Sequence, residues 1–377
     1  MIKETKLLTR RFGSLAILAA ATLGLAACGS SSSSSSSSAA APSSSSSSAS
    51  SGGSATINGA GSTLAAPIYN QWGQNVSGQG LTVNYNALGS GAGIAGLQGS
   101  TIDFAGSDPA EKPSEIKQGK GPVLQFPVAF GAITVSYNLP GVKTGLKLDG
   151  MTIANIFLGK IKKWNDPAIK ALNAGVSLPS SSITVVHRSD SSGTTKGFTT
   201  FLADYDPGWA KVAGAPDKTA KWPVGTGAPK NAGVAAAIKQ TSGAIGYVEQ
   251  AYALQNGFTY ASVKNSAGKF ITPTLQATSA AATGVKVPSN LGISTINAPG
   301  ASAYPIVSQT FLIVYKDMCK AGRSSSAASG VKKFLAYGLG AGQKIEQQLD
   351  YAPLPASLLA KDQTQLGQLS CNGSPVS

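Results

Sequence analysis

Four times in this chain a short apolar or β-branched run stops abruptly in glycine and small polar residues. Ala55-Thr56-Ile57-Asn58 leads into Gly59-Ala60-Gly61-Ser62-Thr63-Leu64, followed by a helical pattern through Ile68, Tyr69 and Trp72. Leu81-Thr82-Val83-Asn84-Tyr85 leads into Gly89-Ser90-Gly91-Ala92-Gly93 and a short helix through Ile94 and Leu97. Thr101-Ile102-Asp103-Phe104-Ala105 ends in the acidic turn Gly106-Ser107-Asp108-Pro109. Ile183-Thr184-Val185-Val186 leads into His187-Arg188-Ser189-Asp190-Ser191-Ser192-Gly193-Thr194-Thr195-Lys196, with a helical pattern from Thr195 to Ala203. A strand, a glycine-hydroxyl loop and a helix start form an anion cradle. Glycine lets backbone approach a ligand, and the first amides of a helix have no intrahelical partner. The repeated pattern predicts an α/β fold whose ligand lies outside the carboxyl ends of the strands.

The 187–196 stretch carries the strongest charge chemistry. Arg188 offers a planar, permanently charged fork suited to a tetrahedral oxyanion, and Asp190 is placed to hold that fork in one rotamer. Taken alone, the stretch reads equally as a Ser/Thr-capped helix with a solvated arginine; the other three loops tip the balance.

The first 27 residues stand apart from any fold. Lys3, Lys6, Arg10 and Arg11 make a basic start, and residues 15–26 form an apolar run too short to span a bilayer as a mature helix. Leu25-Ala26-Ala27-Cys28 resembles the lipobox of bacterial lipoproteins, in which the cysteine is acylated and becomes the new N-terminus. Arg10-Arg11 is followed by Phe12-Gly13, a poor continuation of a twin-arginine signal, so a Sec-type signal is expected. Residues 29–54 are almost wholly Ser, Ala and Gly. They predict a flexible tether with a reach of roughly 25–30 Å.

What remains, about 320 residues, is large for one core and favours two lobes. The formal charge is +14, of which the first 27 residues hold +3 and the rest +11. A basic surface attracts small anions or anionic lipid, but no Lys/Arg run with interleaved aromatics points to nucleic acid. Of three cysteines, Cys28 goes to lipid, leaving Cys319 and Cys371 as one disulfide in an exported protein. One histidine, His187, and that cysteine pair cannot furnish an ordinary zinc site. A serine hydrolase would have to draw its base from His187, inside the anion loop itself. No metal, cofactor or catalytic residue is expected.

With these motifs assembled, the chain resembles the phosphate-binding proteins of bacterial high-affinity phosphate ABC transporters. The resemblance covers about residues 55–360. It is carried by Gly59-Ala60-Gly61-Ser62-Thr63 with Pro67, Gly89-Ser90, Asp103-Phe104 with Ser107-Asp108, and Arg188-Ser189-Asp190 with Ser192-Gly193-Thr194. Two stretches without a ligand role match as well: Ile156-Phe157-Leu158-Gly159-Lys160-Ile161-Lys162-Lys163-Trp164 and Gly243-Ala244-Ile245-Gly246-Tyr247-Val248-Glu249. The chain departs at Leu64, where the family often has Phe, and at His187, where a second basic residue is common.

The resemblance implies a two-lobed, type II-like periplasmic binding protein fold with two crossover strands as the hinge. Residues 123–139 and 304–315 are the candidate crossovers, although periodicity alone reads them equally as core strands. Lobe 1 would hold residues 55–131 and 305–377, and lobe 2 residues 132–304. It implies no enzyme activity, but capture of inorganic phosphate and delivery to the membrane permease subunits of an ABC importer, from outside the cytoplasm on a lipid anchor. Arg188 would supply charge. Ser90, Thr63, Ser192 and Thr194 would donate hydroxyl hydrogens, and amides near Ser62, Leu64 and Gly193 the rest. Asp108 is the informative member. A carboxylate repels an anion unless the anion brings a proton, as phosphate does at neutral pH and sulfate does not. Its other reading is a turn residue before Pro109.

Three rivals stand beside this reading: a phosphohydrolase, which lacks a metal cluster or activated nucleophile; the same fold for sulfate or molybdate, opposed by Asp108; and a surface antigen that keeps only the fold. Elsewhere, residues 150–175 predict one helix with a solvated basic face (Lys160, Lys162, Lys163, Lys170) and Trp164 in packing. Residues 225–236 predict a loop and a helix with no assigned place. Residues 279–301 are the least structured, and residues 327–341 predict a C-terminal helix.

Overall fold

The computed structural model describes residues 54–116, 119–283 and 285–377. Cys28, the signal segment and all of the tether but Ser54 lie outside the described residues. No described helix is long and apolar enough to cross a membrane.

One nine-stranded sheet organises the chain. Its strands are β1 (Ala55–Gly61), β2 (Leu81–Ala87), β3 (Phe104–Ser107), β4 (Val123–Asn138), β5 (Thr184–Arg188), β6 (Thr226–Ala228), β7 (Ala244–Glu249), β8 (Thr259–Tyr260) and β9 (Val307–Tyr315). The order is β2-β1-β3-β9-β4-β7-β5-β6, with β8 also pairing β4. β1 runs parallel to β2 and β3 on one side, and β5 runs parallel to β6 and β7 on the other. The three central pairings are antiparallel: β3 with β9, β9 with β4, and β4 with β7. β7 and β9 are buried along their whole length; β7 is apolar up to Glu249, and β9 is apolar from Phe311 to Tyr315 after the buried polar run Ser308-Gln309-Thr310.

β4 joins the two halves of the sheet. Its 16 residues would span about 50 Å if unbent. Residues 123–132 pair with β9, and residues 133–138 pair with β7. The β4–β9 register steps between Thr310 and Phe311, where Ala129 faces Thr310 and Pro127 faces Phe311. Val128 is the extra residue of this bulge, beside a proline that has no N–H for the ladder.

Helices fill the crossovers between parallel strands. α1 (Ala66–Ser77) begins with a proline in its first turn, where a missing N–H does no harm. It buries Ile68, Trp72 and Val76, spaced four apart on one face, together with Tyr69. Trp72 meets Phe334 with ring centroids 5.7 Å apart. α2 (Ser90–Gln98), α3 (Gly193–Tyr205) and α4 (Lys230–Gln240) follow β2, β5 and β6. The expected C-terminal helix is Ser325–Gly338. After the helix Leu275–Ala282 ends, residues 285–301 are largely without regular structure.

Residues 150–175 do not form one helix. They form two short ones, Gly150–Phe157 and Pro167–Leu172. Gly159 takes a left-handed φ of 72° just after the first, and buried Trp164 donates its ring N–H to the Gly243 carbonyl at 3.0 Å. That tertiary anchor turns the chain away from the helical path the side-chain pattern allows. The lysines there are all solvent-facing, and Lys160 also reaches Asp206 at 3.2 Å.

Cys319 and Cys371 are disulfide-bonded across a sequence separation of 52 residues. A closed loop of that size stabilises by about 4 kcal/mol in the chain-entropy account.

Candidate functional site

The loops that follow β1, β2, β3, β5 and β6 converge at the carboxyl ends of these strands. Ser62, Thr63, Ser90, Asp108, Arg188, Ser192 and Thr194 are all buried, and so are Leu64 and Gly193. Contacts across the gap tie them together. The Gly193 amide donates to Ser90 Oγ at 3.2 Å, and the Gly91 amide donates to the Ser191 carbonyl at 3.1 Å. Gly89, which precedes α2, has φ 99°, and a Cβ there would strike Asp190 and the Ser191 carbonyl. A Cβ on Gly193 would collide with Asp108 itself. Both glycines are set by close approach, as an anion cradle requires.

The hydroxyls reveal which way their protons point. Ser90 Oγ already accepts from the Gly193 amide. Thr63 Oγ1 accepts from the Asn231 side-chain amide at 2.9 Å and its main-chain amide at 3.4 Å. Thr194 Oγ1 accepts from Arg188 Nη1 and from Asn231 Nδ2, each at 3.4 Å. Ser192 Oγ caps α3 by accepting from the Thr195 amide at 3.2 Å. A hydroxyl that accepts from the protein has its own proton left to give. Each of these four hydroxyls therefore keeps a proton that the named contacts do not use.

Ser62 has a different part from the one its sequence position implies. Its amide donates to the Gly106 carbonyl at 2.8 Å, so it is not free for a ligand. Its hydroxyl accepts from the Ala65 amide and donates to Asp108 Oδ1. Thr310, at the bulge in β9, donates to the same oxygen at 3.2 Å. Asp108 Oδ2 is buried and accepts from nothing among the described residues. Burial pushes the carboxyl up to about 6, against the pull of the two hydroxyls and of Arg188. The Asp108–Pro109 peptide bond is cis.

Arg188 is held from behind. Nε donates to Asp190 Oδ1 at 2.7 Å and Nη2 to Asp190 Oδ2 at 2.5 Å. Asp190 thus takes the side-on edge of the guanidinium and leaves the Nη1/Nη2 end toward the cleft. Burial alone would raise Asp190, but the hydrogen bonds and charge of Arg188 outweigh it and hold the carboxyl below its usual value. His187 points away and stacks on Trp222, with ring centroids 4.9 Å apart. Burial lowers its pKa, which keeps the ring neutral at neutral pH. Among the described residues no three His, Cys, Asp or Glu gather as metal ligands.

This arrangement has close counterparts. A family model described as a PBP superfamily domain matches residues 46–341. A phosphate-binding protein PstS of Pasteurella multocida is 40% identical over 314 residues, covering 82% of this chain and 89% of that protein. The chain belongs to the PstS family of phosphate-binding proteins. A PstS3 of Mycobacterium bovis is 37% identical over 378 residues, covering 96% of this chain and 99% of the relative. Among solved structures, a high-affinity periplasmic phosphate-binding protein (PfluDING) bound with phosphate superposes with a TM-score of 0.68 at 23% identity, over 82% of this chain and 93% of that one. The PstS-family chain therefore has the α/β, two-lobed binding-protein fold.

Several residues of this PstS-family cleft escape a reading of the sequence. Asn231 is fully buried and bonds both Thr63 and Thr194. Its only signal is a loop and helix start after β6, placed like the other three. Thr310 lies mid-strand and carries no local signal at all. Tyr252 donates to the Thr63 carbonyl at 2.9 Å. The Tyr351 hydroxyl lies 2.7 Å from the Leu64 carbonyl and 2.8 Å from Glu249 Oε2. One proton cannot serve both oxygens. Burial pushes the Glu249 carboxyl up to about 8, against the pull of the Ala251 amide and the Tyr351 hydroxyl on the same Oε2.

Proposed function

We propose that this cleft captures one inorganic phosphate ion for import and that the chain hands it to the permease subunits of an ABC transporter. The observation that carries the reading is the mismatch between donors and acceptors. Four hydroxyls that accept from the protein and so keep a proton to give converge with the guanidinium end, and among the described residues Asp108 Oδ2, beside them, is a buried acceptor without a partner. An anion with several lone pairs and one proton satisfies that set, because buried polar groups must be paired. Phosphate has that proton at neutral pH and sulfate does not. Arg188, Thr63, Ser90, Ser192 and Thr194 hold the oxygens, with the Leu64 amide beside them, while the Gly193 amide, spent on Ser90 Oγ, orients that hydroxyl. Asp108 accepts the proton, with Ser62 and Thr310 holding its other oxygen. Asp190 positions Arg188.

The same reading takes residues 55–131 and 305–377 as one lobe and residues 132–304 as the other, with β4 and the run into β9 as the crossovers. Binding, rather than turnover, is the task. The chain works outside the cytoplasm, held to the membrane by acyl chains on Cys28. Two or more chains are needed for stable attachment. Isothermal titration with phosphate, sulfate and arsenate tests capture. Phosphate is expected to bind and sulfate to be largely ignored; equal affinity for the two would remove Asp108 from the mechanism. For the anchor, Cys28→Ala should release the protein to the medium, and retention at the membrane would count against acylation.

A further inference from the structure

A buried ion pair bridges the two halves of the sheet beside the cradle. Glu111 lies three residues past Asp108, and its backbone is tied to β4 through Gln125, with amide-to-side-chain contacts of 2.8 and 2.9 Å. Its side chain is fully buried. One carboxylate oxygen accepts from Ser107 Oγ and the other from Lys218 Nζ at 2.6 Å. Lys218 belongs to the opposite half, on the segment before β6. Its carbonyl accepts the amide of Ser192, the cap of α3, at 2.8 Å. One side chain thus ties the β3 loop that carries Asp108 to the residue holding the start of the Arg188 loop's helix. A second pair crosses nearby, Lys196 to Glu115 at 3.3 Å, and is more exposed.

We propose that Glu111 and Lys218 are a latch, an ion pair completed when the two halves close over the anion, which sets the rate at which the anion leaves. The proposal rests on the phosphate-capture reading of the same cleft. Its physical basis is desolvation. With the halves together, each charge is buried and satisfied by the other. If they part, both must be rehydrated before the cleft opens, and the loss of a close charge pair appears mainly in the dissociation rate. Lys160–Asp206 is the natural contrast: it is within one half, and the lysine is 59% exposed. The alternative is that the two charges act only through their field on the bound anion. That alternative gives opposite signs. Neutralising Glu111 would tighten anion binding and neutralising Lys218 would weaken it.

The test is a chase of radiolabelled phosphate from the protein with excess unlabelled phosphate, giving dissociation rates, with association rates measured alongside. Glu111→Gln and Lys218→Gln should each speed release by about tenfold or more, with association changed by no more than about twofold. The double variant leaves no unpaired buried charge, so it should fold, and it should release no faster than the faster single variant. Lys218→Arg keeps the pair and should stay within about threefold of wild type, as should Lys160→Gln. Slower or unchanged release in Glu111→Gln with faster release in Lys218→Gln would mean a field effect and overturn the latch. Unchanged release in all variants would overturn it too, while leaving capture intact. A wild-type chain that retains no phosphate would overturn the capture reading and the latch with it.

Discussion

Asp108 and Asp190 are carboxylates on opposite rims of one cleft, and their surroundings drive them apart. Asp190 spends both oxygens on Arg188, accepts the Lys230 amide at 2.9 Å, and is held below its usual pKa. Asp108 has one oxygen held by two hydroxyls, the other by nothing, and burial raises it to about 6. The first is committed to its arginine as a fixed part of the positive rim. The second is a buried acceptor kept open. Under the proposed reading these opposite shifts are a division of labour: one rim fixes the sign of the guest, and the other asks whether it carries a proton.

Removing the positive rim should have the largest effect. Arg188→Ala strips the cleft of its charge and leaves Asp190 unpaired beside it, so phosphate binding should weaken by about 2–5 kcal/mol. Titration calorimetry reads this directly. An affinity loss under tenfold would mean that the guest does not sit on the guanidinium end.

Next comes Asp108→Asn, which keeps shape but removes the charge. One hydrogen bond to a charged group, about 1.5–3 kcal/mol, is lost to phosphate while repulsion is relieved, so phosphate affinity should change modestly. Sulfate affinity should rise. The ratio of the two should narrow by more than about tenfold, the weight of one such bond. If competition titrations at neutral pH gave an unchanged ratio, Asp108 would be only the turn residue before Pro109.

The pH dependence sharpens the same contrast. Because the Asp108 pKa in the folded cleft is raised to about 6, the carboxylate is present above that value and takes up a proton as pH falls through it. Protonated, it no longer repels a fully ionised anion and no longer accepts from phosphate. Wild-type discrimination against sulfate should therefore be greatest above pH 6 and decline below it, whereas the Asn variant should lack the step near pH 6 and keep only the dependence that comes from phosphate's own ionisation. Asp190, lowered rather than raised, predicts no such step in that window. A wild-type profile flat from pH 7 to pH 5 would contradict the assignment.

The smallest effect expected is that of Thr310→Val. It removes one of the two donors to Asp108 Oδ1 at nearly constant volume, so the ionised form loses support. The midpoint of the selectivity profile should move upward by up to about one pH unit. A downward shift would mean that Thr310 acts through something other than this hydrogen bond.

These cases also mark how far the sequence reaches. Asp108, Arg188 and Asp190 were legible because each sits in a local signal, a strand ending in small polar residues, and local chemistry fixes what such a loop can do. The same holds for the α/β architecture and for the Cys319–Cys371 bridge, which follows from compartment and count. Thr310 was not legible because its partner, Asp108, lies 202 residues away in sequence, past the end of the neighbouring strand β3. Asn231 was half legible: its loop fits the pattern, but its partners come from β1 and β5. The split of residues 150–175 was hidden for a related reason, since the anchor at Trp164 lies at Gly243. Ser62 shows the opposite error. Its position was right, but its amide was already committed one strand away.

The continuity of β4 has a consequence for the order in which the protein assembles. As the chain emerges from its N-terminus, β4 appears long before its partner β9, with 168 residues between Asn138 and Val307 still to come. During that interval residues 133–138 can pair with β7 as soon as residue 249 is out, but residues 123–132 have no antiparallel partner. They present Val-Leu-Gln-Phe-Pro-Val-Ala-Phe-Gly-Ala as a bare, apolar edge, the kind of edge that recruits other chains. Pro127 interrupts the row of amides on that edge, and the bulge it shares with Val128 bends it out of a flat ladder. The feature that later joins the two halves is thus, while the chain is incomplete, the place where it is most exposed to misassembly, and the proline is its built-in guard.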